Sequence, residues 1–96
     1  MAGQVNDYIM WYVYGLKRRD ASLYIGSTDD IYRRLREHRD GRSKSTASLL
    51  PVSLEFSIAV KTEKIARNLE KYLKTGSGRA VLKKRILTDE ATAAEA

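Results

Sequence analysis

Two tyrosines occupy matching positions on either side of a short polar break. Residues 10–16 (MWYVYGL) and 22–26 (SLYIG) are rich in aromatic and β-branched side chains, which predicts two strands of an antiparallel hairpin. If the strands pair across the five-residue break, Tyr14 lies directly opposite Tyr24 and both phenols share one face of the sheet. Such phenols could hold or take protons in a reaction, but cross-strand aromatic pairs are also ordinary sheet stabilisers.

The next element carries a cation and an imidazole on its inner side. The cluster Thr28-Asp29-Asp30 is a typical N-cap, and it predicts a helix over 30–39. At roughly 100° per residue, His38 falls on the buried stripe and Arg34 at its edge, one turn away. Arg34 could line a cleft or simply extend its charge to solvent, and His38 could be a structural residue. The other charged residues are expected to point away: Arg33, Arg36 and Glu37.

A single acid stands in the middle of the following helix, which is predicted over 62–74. Glu70 lies at the boundary of the apolar arc, on the side away from most of the lysines. It could form a surface ion pair with Lys74, worth only about 0.3–0.5 kcal/mol, or it could bind a metal. The arc itself is predicted to consist of Ile65, Leu69, Tyr72 and Leu73, with Ala66 at its edge.

Composition limits the chemistry. The chain has no cysteine and one histidine, so thiolate sites and multi-histidine zinc centres are excluded. Any metal must bind oxygen ligands, which favours Mg²⁺ or Mn²⁺. The formal charge of +6 rises to +9 when the three acids of the C-terminal tail are left out, which favours a polyanionic partner such as nucleic acid. Without a signal peptide or an apolar span, the protein is expected to be soluble and cytoplasmic.

The remaining elements complete a small α+β domain. Gly41 ends the first helix, 41–53 is a loop, 54–60 a third strand, and a last helix is capped by Ser77 and runs through Ile86. The order ββαβαα predicts a three-stranded antiparallel sheet flanked by helices. We expect one domain over 10–87 between two flexible ends, 1–9 and 88–96.

These residues together resemble the GIY-YIG nuclease superfamily, in the small stand-alone bacterial branch related to the catalytic domain of the excision-repair nuclease UvrC. Tyr12-Val13-Tyr14 matches the first signature and Tyr24-Ile25-Gly26 the second. Arg34, His38 and Glu70 fall at the family's arginine, histidine and metal-binding glutamate. The resemblance covers about 10–86, and the run 69–85 (LEKYLKTGSGRAVLKKR) is similar to the usual ending of this branch.

Two positions depart from the family pattern. Tyr12 replaces the glycine of the first signature, a change that this branch commonly shows. No residue matches the asparagine that some members carry near the end of the domain, which leaves one phosphate or metal contact unassigned.

The resemblance implies a divalent-metal-dependent endonuclease that acts on DNA, structure-selective and linked to repair or recombination. Glu70 would hold Mg²⁺ or Mn²⁺, and Arg34 would stabilise the charge that grows on the phosphate. Tyr14 is the preferred general base, its pKa lowered by the positive charge of the metal and Arg34, and Tyr24 positions the water or shares its proton. His38 would be an alternative base or would orient Tyr14. Gly26 is expected to end its strand and to let the chain approach the active face.

Basic residues outside this group are candidates for holding the nucleic-acid backbone. The amides of Ser77 and Gly78, at the start of the last helix, could bind a phosphate. The full set of predicted nucleic-acid-binding residues is Lys44, Lys74, Ser77, Arg79, Lys83, Lys84 and Arg85.

Two alternatives remain open. The chain could be a nucleic-acid-binding module of the same fold that has lost turnover, or a basic protein-interaction domain whose paired tyrosines are structural. A nuclease this small, with one shallow cleft, could also need a protein partner.

Overall fold

A three-stranded antiparallel sheet forms the centre of the molecule. The structure, a computed structural model, describes residues 9–88. The strands are β1 (Trp11–Lys17), β2 (Leu23–Thr28) and β3 (Ser53–Val60), in the spatial order β2-β1-β3. The predicted α+β architecture is therefore confirmed, with each strand within two residues of its expected bounds. The flexible ends predicted at the termini fall, except for Ile9 and Thr88, outside the described residues.

Three helices flank the sheet, and side-chain caps fix where they begin. Helix α1 (Ile31–Arg39) starts at Asp30, whose carboxylate accepts from Arg33 N–H, and α2 (Glu63–Leu73) starts at Thr62. Helix α3 (Gly76–Val81) continues into a π-helical turn at Leu82–Ile86. Its cap is Thr75, which accepts from Gly78 N–H, so the prediction of Ser77 as the cap was wrong.

The hairpin register differs from the predicted one by two residues. Tyr14 pairs with Gly26 and Tyr24 with Leu16, instead of the tyrosines pairing with each other. The turn takes in Ser22, because the Asp20 carboxylate accepts from its backbone N–H and from its hydroxyl. A shift of two residues leaves every side chain on its original face, so the two phenols still share one side of the sheet.

The main core lies on the other face of the sheet. Val13, Ile25 and Phe56 pack there against the two C-terminal helices, through Ala66, Leu73 and Leu82. None of the helices within residues 9–88 combines the length and apolar character needed to cross a membrane.

Helix α2 buries a stripe that only partly matches the predicted one: Leu73 is buried and Leu69 packs against the core as expected. Ala66 is fully buried, whereas Ile65 and Tyr72 are 48% and 43% exposed. The small side chain of Ala66 lets the helix backbone approach β1 and β2, which turns Ile65 outward. Glu70, one turn after Ala66, is thereby carried to the end of the sheet.

Candidate active site

The hydroxyl group of Tyr14 is the centre of a buried polar cluster. Its oxygen lies 2.8 Å from His38 Nε2 and 3.3 Å from Arg34 Nε. Tyr14 and His38 are both fully buried. The ring of Tyr24 packs beside both, with ring centroids 6.2 Å from Tyr14 and 5.3 Å from His38. The fold therefore brings together four of the five predicted catalytic residues on the face that α1 covers.

Gly26 makes room for the Tyr14 phenol. It lies within β2, so the prediction that it ends the strand was wrong. A Cβ at this position would fall 2.7 Å from the Tyr14 hydroxyl oxygen and 3.0 Å from the Tyr24 ring. The second signature therefore needs glycine at position 26, because the side chain of Tyr14, from the first signature, lies directly over it.

Three groups hold the Arg34 guanidinium in place. Besides Tyr14, it donates to Glu37 at 2.9 Å and to the Ser43 hydroxyl at 3.3 Å. The prediction that Glu37 points away was wrong, because a glutamate three residues along the helix can reach this arginine. Burial would lower the pKa of Arg34, but the hydrogen bonds to Glu37 and Tyr14 outweigh it and raise the pKa. Arg34 is thus a fixed cation.

The loop between α1 and β3 supplies the second partner of His38. Thr46 is fully buried, and its hydroxyl oxygen lies 2.8 Å from His38 Nδ1. Arg18 and Arg19 anchor this loop to the hairpin by donating to three of its carbonyl groups. Sequence reasoning missed Thr46 and Ser43; the hydroxyl-rich run SKSTAS (43–48) was the available signal.

Burial keeps both members of the Tyr14–His38 pair neutral. It raises the pKa of Tyr14 to about 12, although Arg34 acts in the opposite direction, and burial together with Arg34 lowers the pKa of His38 to about 4. Arg34 alone therefore does not bring the pKa of Tyr14 below its ordinary value. Transfer of a proton from Tyr14 to His38 is unfavourable, because the raised pKa of the phenol and the lowered pKa of the imidazole both oppose it. His38 is a hydrogen-bonding partner of Tyr14, and it does not take its proton.

Glu70 lies at the end of the sheet, on the side of α2. One carboxylate oxygen accepts from Ser27 Oγ at 2.7 Å, and the other contacts Lys74 Nζ at 2.6 Å. The surface ion pair considered from the sequence is therefore present. Burial would raise the pKa of Glu70, but the hydrogen bonds from Lys74 and Ser27 lower it, so the carboxylate is charged at neutral pH. Among residues 9–88, Glu70 makes no hydrogen bond to Tyr14, Tyr24, Arg34 or His38.

A cleft of about 300 Å³ connects the surroundings of the Tyr14 cluster with those of Glu70. It opens where β1 begins and β2 ends, with α1 on one side and α2 on the other. Arg34, which contacts Tyr14, and Ser27, which contacts Glu70, both line it. Seven of its eight lining residues were not predicted as site residues: Trp11, Ser27, Thr28, Asp29, Arg33, Glu37 and Arg67. The cleft carries three arginines against two acids, Asp29 and Glu37, so its lining has a net positive charge.

None of the predicted nucleic-acid-binding residues lines this cleft. Arg79 and Lys83 border a separate cavity of about 220 Å³, and Lys74 is paired with Glu70. The amide of Gly78 is bonded to Thr75, so the expectation that it is free for a phosphate was wrong. The others are exposed at the surface: Lys44, Ser77, Lys84 and Arg85.

Comparisons with known proteins identify relatives of the chain. The model of the GIY-YIG catalytic domain matches residues 10–85. The chain is 42% identical to a UPF0213 protein of Bacillus licheniformis over 64 residues, 66% of each chain. It is 38% identical to one of Streptococcus agalactiae over 72 residues, 74% of this chain and 82% of the relative.

A solved structure extends the comparison to the fold. The solution NMR structure of a UPF0213 protein from Bacillus halodurans matches with a TM-score of 0.50 and 29% identity, over 78% of this chain and 83% of that one. The relatives of this chain are small bacterial proteins. The family model covers nearly all of the residues that the structure describes. The chain belongs to the GIY-YIG family.

Proposed function

We propose that this protein is a metal-dependent endonuclease that hydrolyses phosphodiester bonds in DNA. The observation that carries the proposal is the cleft itself. A fixed arginine that contacts a tyrosine hydroxyl lies on one side, and a serine that contacts a charged glutamate lies on the other. Membership of a family defined by a nuclease domain supports the same reaction class.

Glu70 is the residue that would hold the divalent cation. No group of three or more His, Cys, Asp or Glu residues in the described part of the chain could bind a metal. One charged carboxylate suits Mg²⁺ or Mn²⁺, which keep several waters and take further oxygens from a substrate phosphate. Lys74 must release its carboxylate oxygen to make room. When bound, the cation supplies charge stabilisation at the phosphate and the leaving oxygen.

Arg34 stabilises the negative charge that develops on the phosphate during attack. Its position is set before substrate arrives, because Glu37, Tyr14 and Ser43 all bind the guanidinium. A donor fixed in advance need not reorganise during the reaction, and such donors are worth about 2.7–4 kcal/mol. Arg33 and Arg67 add positive charge along the same cleft for the nucleic-acid backbone.

The burial of the two tyrosines favours different roles from those expected. A group that takes a proton from an attacking water must touch that water. Tyr14 has no exposed surface, whereas Tyr24 keeps part of its side chain open to solvent. We therefore assign contact with the water to Tyr24. The buried Tyr14 positions Tyr24 through the contact between their rings and Arg34 through the hydrogen bond to its hydroxyl.

Selective cleavage of branched, flapped or damaged DNA, with a role in repair or recombination, belongs to the same proposal. Nothing in residues 9–88 resembles a helix placed to read base edges, and the cleft offers backbone-binding cations instead. Binding of this kind follows the shape of the nucleic acid and weakens strongly with salt.

The test is a cleavage assay on duplex, flap, fork and single-stranded substrates, with and without Mg²⁺ or Mn²⁺. Glu70→Gln keeps an acceptor for Ser27 but removes the charge, so cleavage should fall at least ~100-fold while DNA affinity is retained. Glu55→Gln, an exposed residue of β3, removes the same charge elsewhere and should cleave like the wild type. Equal activity of the two variants would overturn the assignment of Glu70.

One observation favours a second candidate, a binding module without turnover. Both oxygens of Glu70 already have partners, Ser27 and Lys74. If that closed arrangement persists, the protein should bind DNA at low salt and cleave none of the substrates. Absence of DNA binding at low salt would instead support a protein-interaction domain.

A further inference from the structure

The side chain of Thr46 has a single hydrogen-bonding partner. Its hydroxyl group is fully buried and lies 2.8 Å from Nδ1 of His38, with no other side-chain hydrogen bond among residues 9–88. A hydroxyl group carries one proton to donate and can also accept. The distance alone therefore leaves two arrangements, with the proton on Thr46 or on Nδ1 of His38.

Hydrogen-bond satisfaction decides between them. If Nδ1 carried the proton, Thr46 would accept it, and the Thr46 hydroxyl proton would have no acceptor in a buried site. Leaving a buried donor unpaired costs about 1–3 kcal/mol. If Thr46 donates to Nδ1, the only unused capacity is a lone pair on the threonine oxygen, which costs less. The second arrangement requires the single proton of the neutral imidazole to be on Nε2.

This choice sets the direction of the Tyr14 hydroxyl. With the proton on Nε2, His38 donates to the Tyr14 oxygen at 2.8 Å, and Arg34 Nε–H donates to the same oxygen at 3.3 Å. Two donors occupy both lone pairs of the phenol oxygen. The proton of Tyr14 must then turn away from His38, toward the Tyr24 hydroxyl, whose side-chain hydrogen bond with Tyr14 helps to raise the pKa of the phenol.

We propose that Thr46 is a positioning residue that holds His38 as the Nε2–H tautomer and thereby aims the Tyr14 hydroxyl proton at Tyr24. Thr46 acts through His38 and touches no substrate. Its effect on cleavage rests on the proposed nuclease function, whereas the tautomer does not. The opposite tautomer would turn Tyr14 into a donor to His38 and remove its hydrogen bond toward Tyr24.

The tautomer can be observed directly, because the chain contains one histidine. Long-range ¹H–¹⁵N correlation on the ¹⁵N-labelled, full-length wild type at about pH 7, without nucleic acid, gives one set of imidazole signals. We expect Nε2 to resonate as the protonated nitrogen and Nδ1 as an unprotonated nitrogen that accepts a hydrogen bond. A protonated Nδ1 overturns the proposal without any use of activity.

Two substitutions test the role of the hydroxyl group. Thr46→Val keeps the shape and removes the donor, so the Nδ1 signal should move to the frequency of a free acceptor. The maximal cleavage rate should fall ~10-fold, with DNA affinity unchanged, at the low end of the loss seen when the partner that orients a metal-bound histidine is removed. Thr46→Ser keeps the donor and should restore both the Nδ1 signal and the rate.

The outcomes separate the two parts of the proposal. Ser45→Ala, in the same loop but exposed, controls for any general effect of removing a hydroxyl group. A Thr46→Val variant with slower cleavage but an unchanged Nδ1 signal shows a merely structural role and overturns the proposal. Wild-type protein that shows the Nε2–H tautomer but cleaves nothing refutes the nuclease function and leaves the tautomer assignment standing.

Discussion

The hydroxyl oxygen of Tyr14 and Nε2 of His38 lie 2.8 Å apart, and neither side chain reaches solvent. Desolvation acts on the two groups in opposite directions: it raises the pKa of the phenol to about 12 and lowers the pKa of the imidazole to about 4. Both are therefore neutral over the whole physiological range. The pair works as a fixed hydrogen-bonding unit, and its geometry matters more than its capacity to ionise.

This neutrality predicts a pH dependence of stability. The unfolded chain binds a proton at His38 below about pH 6.5, whereas the folded chain resists protonation until about pH 4. Since the unfolded state binds more protons in this window, the free energy of unfolding should fall as the pH falls through it, by at most about 3 kcal/mol. Urea unfolding between about pH 7 and pH 4 measures the effect.

The control is the same series on His38→Gln, which lacks the titrating group. Glu37 and Glu70 have lowered pKa values in the fold, so the stability that they contribute is lost mainly below about pH 4.5 in both proteins. The difference between the two curves therefore isolates His38. Parallel curves would show that the folded protein tolerates a charged His38.

The two tyrosines should respond differently to loss of their hydroxyl groups. Tyr24→Phe should lower the cleavage rate ~100-fold or more. It should lower the free energy of unfolding less than Tyr14→Phe does, because it removes only the partner of the Tyr14 hydroxyl from a half-buried side chain. Tyr14→Phe should lower both the cleavage rate and the free energy of unfolding. It leaves the buried His38 Nε2 and the part-buried Nε–H of Arg34 without their partner, which costs about 1–3 kcal/mol. Nicking assays and urea unfolding on both variants provide the comparison. Full activity of Tyr24→Phe would show that the paired tyrosines have a structural role only.

Arg34→Lys tests whether charge alone is sufficient. Lysine keeps the positive charge but cannot bond Tyr14, Glu37 and Ser43 at once, because it lacks the planar fork of the guanidinium. The turnover rate should fall ~100-fold with little change in KM. Arg36→Lys is the matched control: this exposed residue of the same helix makes no side-chain hydrogen bond or ion pair within residues 9–88. A similar loss in both would point to general electrostatics.

Gly26→Ala should damage the site with a limited effect on the fold. The added methyl group would lie 2.7 Å from the Tyr14 hydroxyl oxygen, so the phenol must move away from His38 and Arg34. We expect a destabilisation of about 1–3 kcal/mol from overpacking, and a loss of cleavage larger than that stability change explains. Gly76→Ala, at the start of α3, meets no atom within 4 Å and should behave like the wild type. Wild-type cleavage by Gly26→Ala would show that the position of the Tyr14 hydroxyl is not critical.

The parts of the site that were predictable follow from periodicity. Alternation along strands placed Tyr14 and Tyr24 on one face, and this survived a register error because the error was two residues. Helical spacing placed His38 on the inner side of α1 and Arg34 at its edge. The order of the elements followed from the same two periods and from the caps at Asp30 and Thr62.

The parts that were not predictable depend on contacts between distant segments. Thr46 reaches His38 from a loop that Arg18 and Arg19 hold against the hairpin. The cleft unites Trp11 with Arg67 across the end of the sheet, and no local pattern marks either. The neutral states of Tyr14 and His38 follow from their complete burial. Composition does not show how deeply a side chain is buried.

The contact between Glu70 and Lys74 has a practical consequence. Because the lysine at 2.6 Å balances the carboxylate charge, we expect the fold to be stable without a cation at this position. A chelator should therefore stop catalysis without lowering the melting temperature, and activity should return on simple readdition of the ion. Metal-free protein could then be loaded with DNA, so that hydrolysis starts in a synchronised single turnover when the ion is mixed in.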